Sequence, residues 1–134
     1  MPLATNVGHH IVADLYFKET AFLNSVRSIR PLVEASIQEA NLTILGHHFH
    51  QFSPFGATGI FLLSESHVAF HTWPEHGLLC IDVFSCSAEN KTEKFMEALT
   101  RKIKPIKIKK TEVVRGKTPE KESVSFPAVN QALL

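Results

Sequence analysis

The segment from Glu65 to Cys86, ESHVAFHTWPEHGLLCIDVFSC, gathers a serine directly after a glutamate, several histidines, the only tryptophan and both cysteines of the chain. A serine hydroxyl can attack a carbonyl if a base takes its proton, an imidazole moves protons near neutral pH, and a thiol can attack or donate a proton. Each residue also has a plain structural alternative: serines are common in turns, strand histidines are usually hydrogen-bonded structure, and a buried cysteine packs as a small hydrophobe. Glu65 and Ser66 fall at the boundary between two predicted strands, where a tight connection can hold the backbone in strain. His71 lies on the strand that follows, and Cys86 ends the one after. Whether strand pairing unites them depends on a register that sequence does not fix.

The elements that must position these residues are legible in outline. Residues 9 to 17, HHIVADLYF, have strand character. Phe22, Val26, Ile29, Val33 and Ile37 then recur at helical spacing. Pro31 interrupts that pattern, so the main helix is expected to start after Ser28 as N-cap, with a short helical turn before it. Strands are predicted over 42–52 and 58–64 around the turn SPFGA, and over 67–73 and 78–86 around PEHG. Asn90 with Glu93 opens a second helix whose stripe is Phe95, Met96, Leu99 and Ile103, and Pro105 ends it. A last strand is expected over 106–114, and residues 116–134 carry few structural signals. With helices near both ends and hairpins between, the order predicts an α+β two-layer sandwich, a largely antiparallel sheet with two helices on one face. The other face is then left wet or covered by a partner chain.

Composition narrows the function classes. At 134 residues the chain is one domain, 44% hydrophobic and 20% charged. A formal net charge of +1 gives no electrostatic pull towards nucleic acid or a membrane surface. There is no apolar run of about 18 residues, and the start MPLATNVGHH lacks a basic stretch followed by an apolar one, so a cytoplasmic protein is expected. Cys80 and Cys86, roughly 20 Å apart along one strand, are expected as free thiols. A metal site of His9 and His10 with His47, His48 and His50 would need the first two strands side by side, and the spacing fits no common zinc pattern, so no metal is expected. In KIKPIKIKK, Lys107 and Lys109 share one face and Ile106 and Ile108 the other, the pattern of a half-buried edge strand guarded by charge.

The runs SESHVAFHTWPE and IDVFSC resemble the prokaryotic S-adenosylmethionine decarboxylase proenzymes, which are pyruvoyl-dependent. The resemblance spans roughly Gly8 to Val114, with GHHIVADLY similar to the family's opening strand and FHQFSPFGATG to the turn before its cleavage site. It implies that the Ser66 hydroxyl attacks the Glu65 carbonyl, splitting the chain into 1–65 and 66–134 and leaving a pyruvoyl group made from Ser66. His71 is implied in removing the α-proton, Thr58 in supporting processing, and Cys86 in donating a proton to the substrate carbon after carbon dioxide leaves. The pyruvoyl ketone, joined to the substrate amine, does the electron-sink work that pyridoxal phosphate does elsewhere.

For substrate binding the resemblance implies Phe52 stacking on adenine and Glu75 holding the ribose hydroxyls; an aromatic face near a sulfonium adds roughly 0.5–2 kcal/mol. Trp73 is taken as mainly structural. His76, Leu78 to Cys80 and Ser87 depart from the usual family pattern around this pocket, which bears on the substrate rather than on the pyruvoyl chemistry. The resemblance thus points to a self-processing decarboxylase of S-adenosylmethionine that supplies the aminopropyl donor for spermidine synthesis. The alternative is a pyruvoyl-dependent decarboxylase of ornithine or arginine on the same scaffold, and a non-catalytic homologue is disfavoured by the intact Ser66, His71 and Cys86. A homodimer of processed protomers, with active sites near the interface, is implied as well.

Overall fold

The computed structural model of the protein describes residues 7–87 and 90–116. Six strands form one antiparallel sheet: β1 (Gly8–Tyr16), β2 (Ile44–Gln51), β3 (Ala57–Leu63), β4 (Ser66–Trp73), β5 (Leu78–Ser85) and β6 (Lys107–Arg115). Their spatial order is β2-β3-β4-β5-β1-β6. Two helices, α1 (Val26–Glu39) and α2 (Lys91–Ile103), cover one face, as the sequence pattern predicts. Neither is long and apolar enough to cross a membrane.

The core lies between sheet and helices. Alternation sends Ile11, Leu15, Phe61, Val68, Phe70, Leu79 and Val83 to the helical side, where they meet Ile29, Val33 and Ile37 of α1 and Phe95 and Leu99 of α2, all fully buried. Burying each such large side chain stabilises the fold by roughly 1.5–3 kcal/mol. The opposite face is open. Val12, Ile60, Leu62, Trp73 and Val113 project from it between 39% and 55% exposed, interleaved with His10, His67, His71, Cys80 and Asp82.

Two local expectations are corrected. The first helix begins after Ser25, not Ser28: Ser25 Oγ accepts the Ser28 N–H at 3.2 Å, so Ser28 is already in the first turn. Pro31 therefore sits inside the helix. The bond it cannot make would go to the carbonyl of Arg27, an exposed residue. β6 is the predicted edge strand but is exposed along its whole length, because α2 packs over β1 and β5 and meets β6 at the Glu93–Lys110 ion pair of 2.9 Å. Asn90 precedes α2 as expected, without a capping bond from its side chain. α2 closes with Lys104 in the left-handed conformation, φ 48°, just before Pro105.

Candidate active site

β4 carries the candidate residues, and it separates them into two groups. At its start, Ser64 and Glu65 make the two-residue turn that pairs Leu63 with Ser66. The Glu65 side chain closes this turn against the residue preceding β2. Thr43 N–H donates to Oε1 at 3.1 Å and Thr43 Oγ1 to Oε2 at 3.3 Å. Desolvation alone would raise the Glu65 carboxyl, but the hydrogen bonds from Thr43, its own N–H and Ser64 outweigh it and hold it below the ordinary carboxylate value.

Ser66 itself has φ 154°. The other non-glycine residues with positive φ, Asn41 and Lys104, sit at helix ends, where that conformation is a common way to stop. At the head of a strand it is strain, worth about 1–3 kcal/mol. The Ser66 hydroxyl has no hydrogen-bond partner among the described residues, which leaves it free to turn on the carbonyl before it. That carbonyl is held: the backbone N–H of Cys86 donates to the Glu65 oxygen at 3.0 Å. Cys86, exposed and free, follows the end of β5, where Ser85 pairs with Ser66.

At the other end of β4, His71 pairs with Thr58 of β3 and Cys80 of β5, and Thr58 Oγ1 lies 3.0 Å from His71 Nδ1. A cleft of about 530 Å3 opens here, lined by Phe52, Phe55, Thr58, His71, Trp73 and Glu75. Phe52 is 47% exposed, so it is no core residue. Trp73, expected to be mainly structural, lines the cleft with its ring 5.9 Å from that of His71. Glu75 stands in the short turn Pro74–His76, closed by Gly77 at φ 59°. A smaller apolar cavity of about 340 Å3, near Phe17, Phe22 and Ile106, carries none of the candidate residues.

Ser66 and His71 are five residues apart on one strand. That is about 16 Å along the strand. One chain therefore unites Ser66 with Glu65 and Cys86, and Thr58 and His71 with Phe52 and Glu75, but does not unite the two groups.

Sequence reasoning missed three supports. Gln51 pins the loop that carries Phe52: its Oε1 accepts the Val26 N–H at 2.8 Å, and its Nε2 donates to Asn24 O, Phe52 O and Gly56 O. Thr72, 5% exposed, accepts the Ala57 N–H and donates to Leu23 O, both at 2.8 Å. On the open face, Asp82 Oδ2 meets His10 Nε2 at 2.8 Å and His67 Nε2 at 3.0 Å. Arg115 lies 2.8 Å from His10 Nδ1, and because a guanidinium only donates, that nitrogen is the acceptor and Nε2 carries the proton that goes to Asp82. With His10 Nε2 protonated towards Asp82, these side chains as arranged form a hydrogen-bond network. His47, His48 and His50 lie on β2, with three strands between it and β1, so no five-histidine cluster forms.

A family model described as S-adenosylmethionine decarboxylase matches residues 9–116. The chain belongs to the S-adenosylmethionine decarboxylase family. A relative from Sulfurihydrogenibium sp. (strain YO3AOP1), named S-adenosylmethionine decarboxylase proenzyme, is 45% identical over 113 residues, covering 84% of this chain and 85% of the relative. The proenzyme of the same name from Aquifex aeolicus is 41% identical over 123 residues, 92% of this chain and 91% of the relative. The crystal structure of the adenosylmethionine decarboxylase from that organism superposes with a TM-score of 0.82, covering 87% of this chain and 97% of that one. Family membership at this identity, together with the shared fold, makes the two halves of the site worth reading as parts of one decarboxylase.

Proposed function

We propose that this chain is a decarboxylase of S-adenosylmethionine that makes its own pyruvoyl group at residue 66. The observation that carries this is the Glu65–Ser66 junction: a strained serine, a hydroxyl with no partner among the described residues, and a preceding carbonyl that accepts the Cys86 N–H. Ser66 Oγ adds to the Glu65 carbonyl carbon and gives up its proton. The developing oxyanion lies where the Cys86 N–H points. Breaking the C–N bond returns a proton to the Ser66 nitrogen and leaves an ester, with the backbone strain released. A base then takes the Ser66 α-proton, the Glu65 carboxylate departs, and water replaces the nitrogen as ammonia to leave the ketone.

The pyruvoyl ketone supplies an electron sink for decarboxylation. The chain's own residues do the remainder. Phe52, Phe55 and Trp73 offer aromatic faces to a purine and a sulfonium, and Glu75 a carboxylate to ribose hydroxyls. His71, oriented through Thr58, is the base for the α-proton, and the Cys86 thiol returns a proton to the substrate carbon. The product is the aminopropyl donor for spermidine synthesis, and the two free thiols are compatible with a reducing, cytoplasmic setting.

The working unit in this reading is a homodimer. The open face carries exposed apolar side chains that call for a cover, and Ser66 with Cys86 lies far from His71 within one chain. A second copy laid against this face in two-fold symmetry lets the cleft of each protomer serve residue 66 of the other. The experiment is incubation of purified protein with carboxyl-labelled S-adenosylmethionine, ornithine or arginine, and cyanoborohydride trapping on the 66–134 chain. Carbon dioxide and a trapped adduct with the first substrate are expected; release from ornithine or arginine alone overturns the substrate assignment.

A further inference from the structure

The cut between Glu65 and Ser66 removes the covalent turn that anchors the head of β4, at the place where the reactive group must be held still. A new chain terminus is ordinarily the first part of a strand to fray. The open face shows what stands against that. His67, joined directly to residue 66, donates through Nε2 to Asp82 Oδ2 on β5 at 3.0 Å. His10 on β1 donates to the same oxygen at 2.8 Å, and Arg115 at the end of β6 donates to His10. The three rings of His10, His67 and Phe84 pack together with centroids 5.3 to 5.9 Å apart, and the Arg115 guanidinium lies 5.4 Å from the Phe84 centroid. Side chains thus tie β4, β5, β1 and β6 at the end of the sheet that holds Ser66 and Cys86.

The cut divides the members of this network unequally. His67, Asp82 and Arg115 belong to residues 66–134, and His10 belongs to 1–65, so two of its hydrogen bonds become bonds between separate chains on cleavage.

We propose that the His10–Asp82–His67 network positions residue 66 in the cleaved enzyme, taking over from the Ser64–Glu65 turn as the anchor of β4. His67 is in this sense a positioning residue. It acts on the reaction through the main chain to which the ketone is attached, and Asp82 and His10 act through His67. This rests on the self-made pyruvoyl group argued above.

The test compares Asp82→Asn in two settings, the cleaved protein and the uncleaved Ser66→Ala protein, by amide hydrogen exchange over residues 67–70. Exchange is expected to speed up by about tenfold or more in the cleaved protein and to stay unchanged in the uncleaved one. Equal acceleration in both settings, or none in the cleaved one, overturns the proposal. In the mature enzyme His67→Phe is expected to lower kcat on the order of tenfold to a hundredfold with KM little altered, and His67→Gln, which keeps an N–H for Asp82, to restore most of it. Glutamine performing no better than phenylalanine also overturns it. Should Asp82→Asn fail to fold, His67→Phe serves for the exchange comparison. A wild-type chain that never cleaves defeats the pyruvoyl reading itself, whereas normal cleavage with unaltered exchange in the variant defeats this inference alone.

Discussion

The backbone nitrogen of Cys86 lies 3.0 Å from the carbonyl oxygen of Glu65, so the residue after β5 holds the carbonyl on which the proposed Ser66 attack would fall. The donor is main chain, so a side-chain change at Cys86 leaves it in place. Cys86→Ala is therefore expected to cleave at a rate within a few-fold of wild type while losing decarboxylation by on the order of a hundredfold or more. Ser66→Ala is expected to remain a single chain without activity. Intact mass and carbon dioxide release check both.

Gly8 tests the same hydrogen bond from its other side. A Cβ there would come 2.6 Å from Ser85 O and 3.1 Å from the Cys86 Cα, so Gly8→Ala is expected to disturb the backbone that presents the Cys86 N–H to Glu65. The expected result is cleavage slowed by about tenfold or more, read as precursor half-life.

The proposed division of the site between two copies gives a complementation test. His71→Ala keeps Ser66, and Ser66→Ala keeps His71. Expressed alone, neither is expected to cleave. Expressed together, the His71→Ala chain is expected to be cut, because its partner brings the missing imidazole to its residue 66. If mixing restores no cleavage, the site belongs to one chain.

The two thiols are expected to differ. Burial, then a hydrogen bond to Asp14 and that carboxylate's charge, pushes the Cys80 thiol up to about 11, whereas Cys86 is exposed. Iodoacetamide at neutral pH should label Cys86 and spare Cys80 in the native protein. The stability sign follows from linkage: the fold keeps a proton on Cys80 that the unfolded chain releases, so this contribution is full below about pH 9 and is lost as pH rises towards 11. Urea midpoints for wild type and Cys80→Ala should accordingly converge across that interval.

Thr72 is the buried polar link between β4, β3 and the turn Ala21–Leu23. Thr72→Val keeps the volume and leaves the Ala57 N–H and the Leu23 carbonyl without partners. A loss of about 1–3 kcal/mol in urea denaturation is expected.

The fold was legible because its signals are local. Alternation along β1, β3, β4 and β5, the turn residues of SPFGA and PEHG, and the stripe Phe95, Met96, Leu99 and Ile103 each act over a few neighbours. The start of α1 was misplaced because two serines compete for the cap, and the general cost of an internal proline outweighed the exposed position that Pro31 occupies. Site residues were legible one by one and not as an arrangement. That Ser66 and His71 lie at opposite ends of one strand follows from spacing alone, but what each then faces follows from strand order. The His10–Asp82–His67 network needs β5 between β4 and β1, which no local pattern states. Its one visible signal was Asp82, a carboxylate in the middle of the apolar strand LLCIDVFS.

Strand order has one more effect, on how the molecule can be made. β1, from the first half of the chain, is paired on both sides by strands from the second half, β5 and β6. While the backbone is whole, denatured protein can find this arrangement in a first-order search. Under the proposed cleavage, the same weave would require two polypeptides to meet, so recovery from denaturant is expected to become dependent on concentration. On the proposed reading, folding must come before self-cutting, and the mature enzyme would draw its permanence from a history it cannot easily repeat.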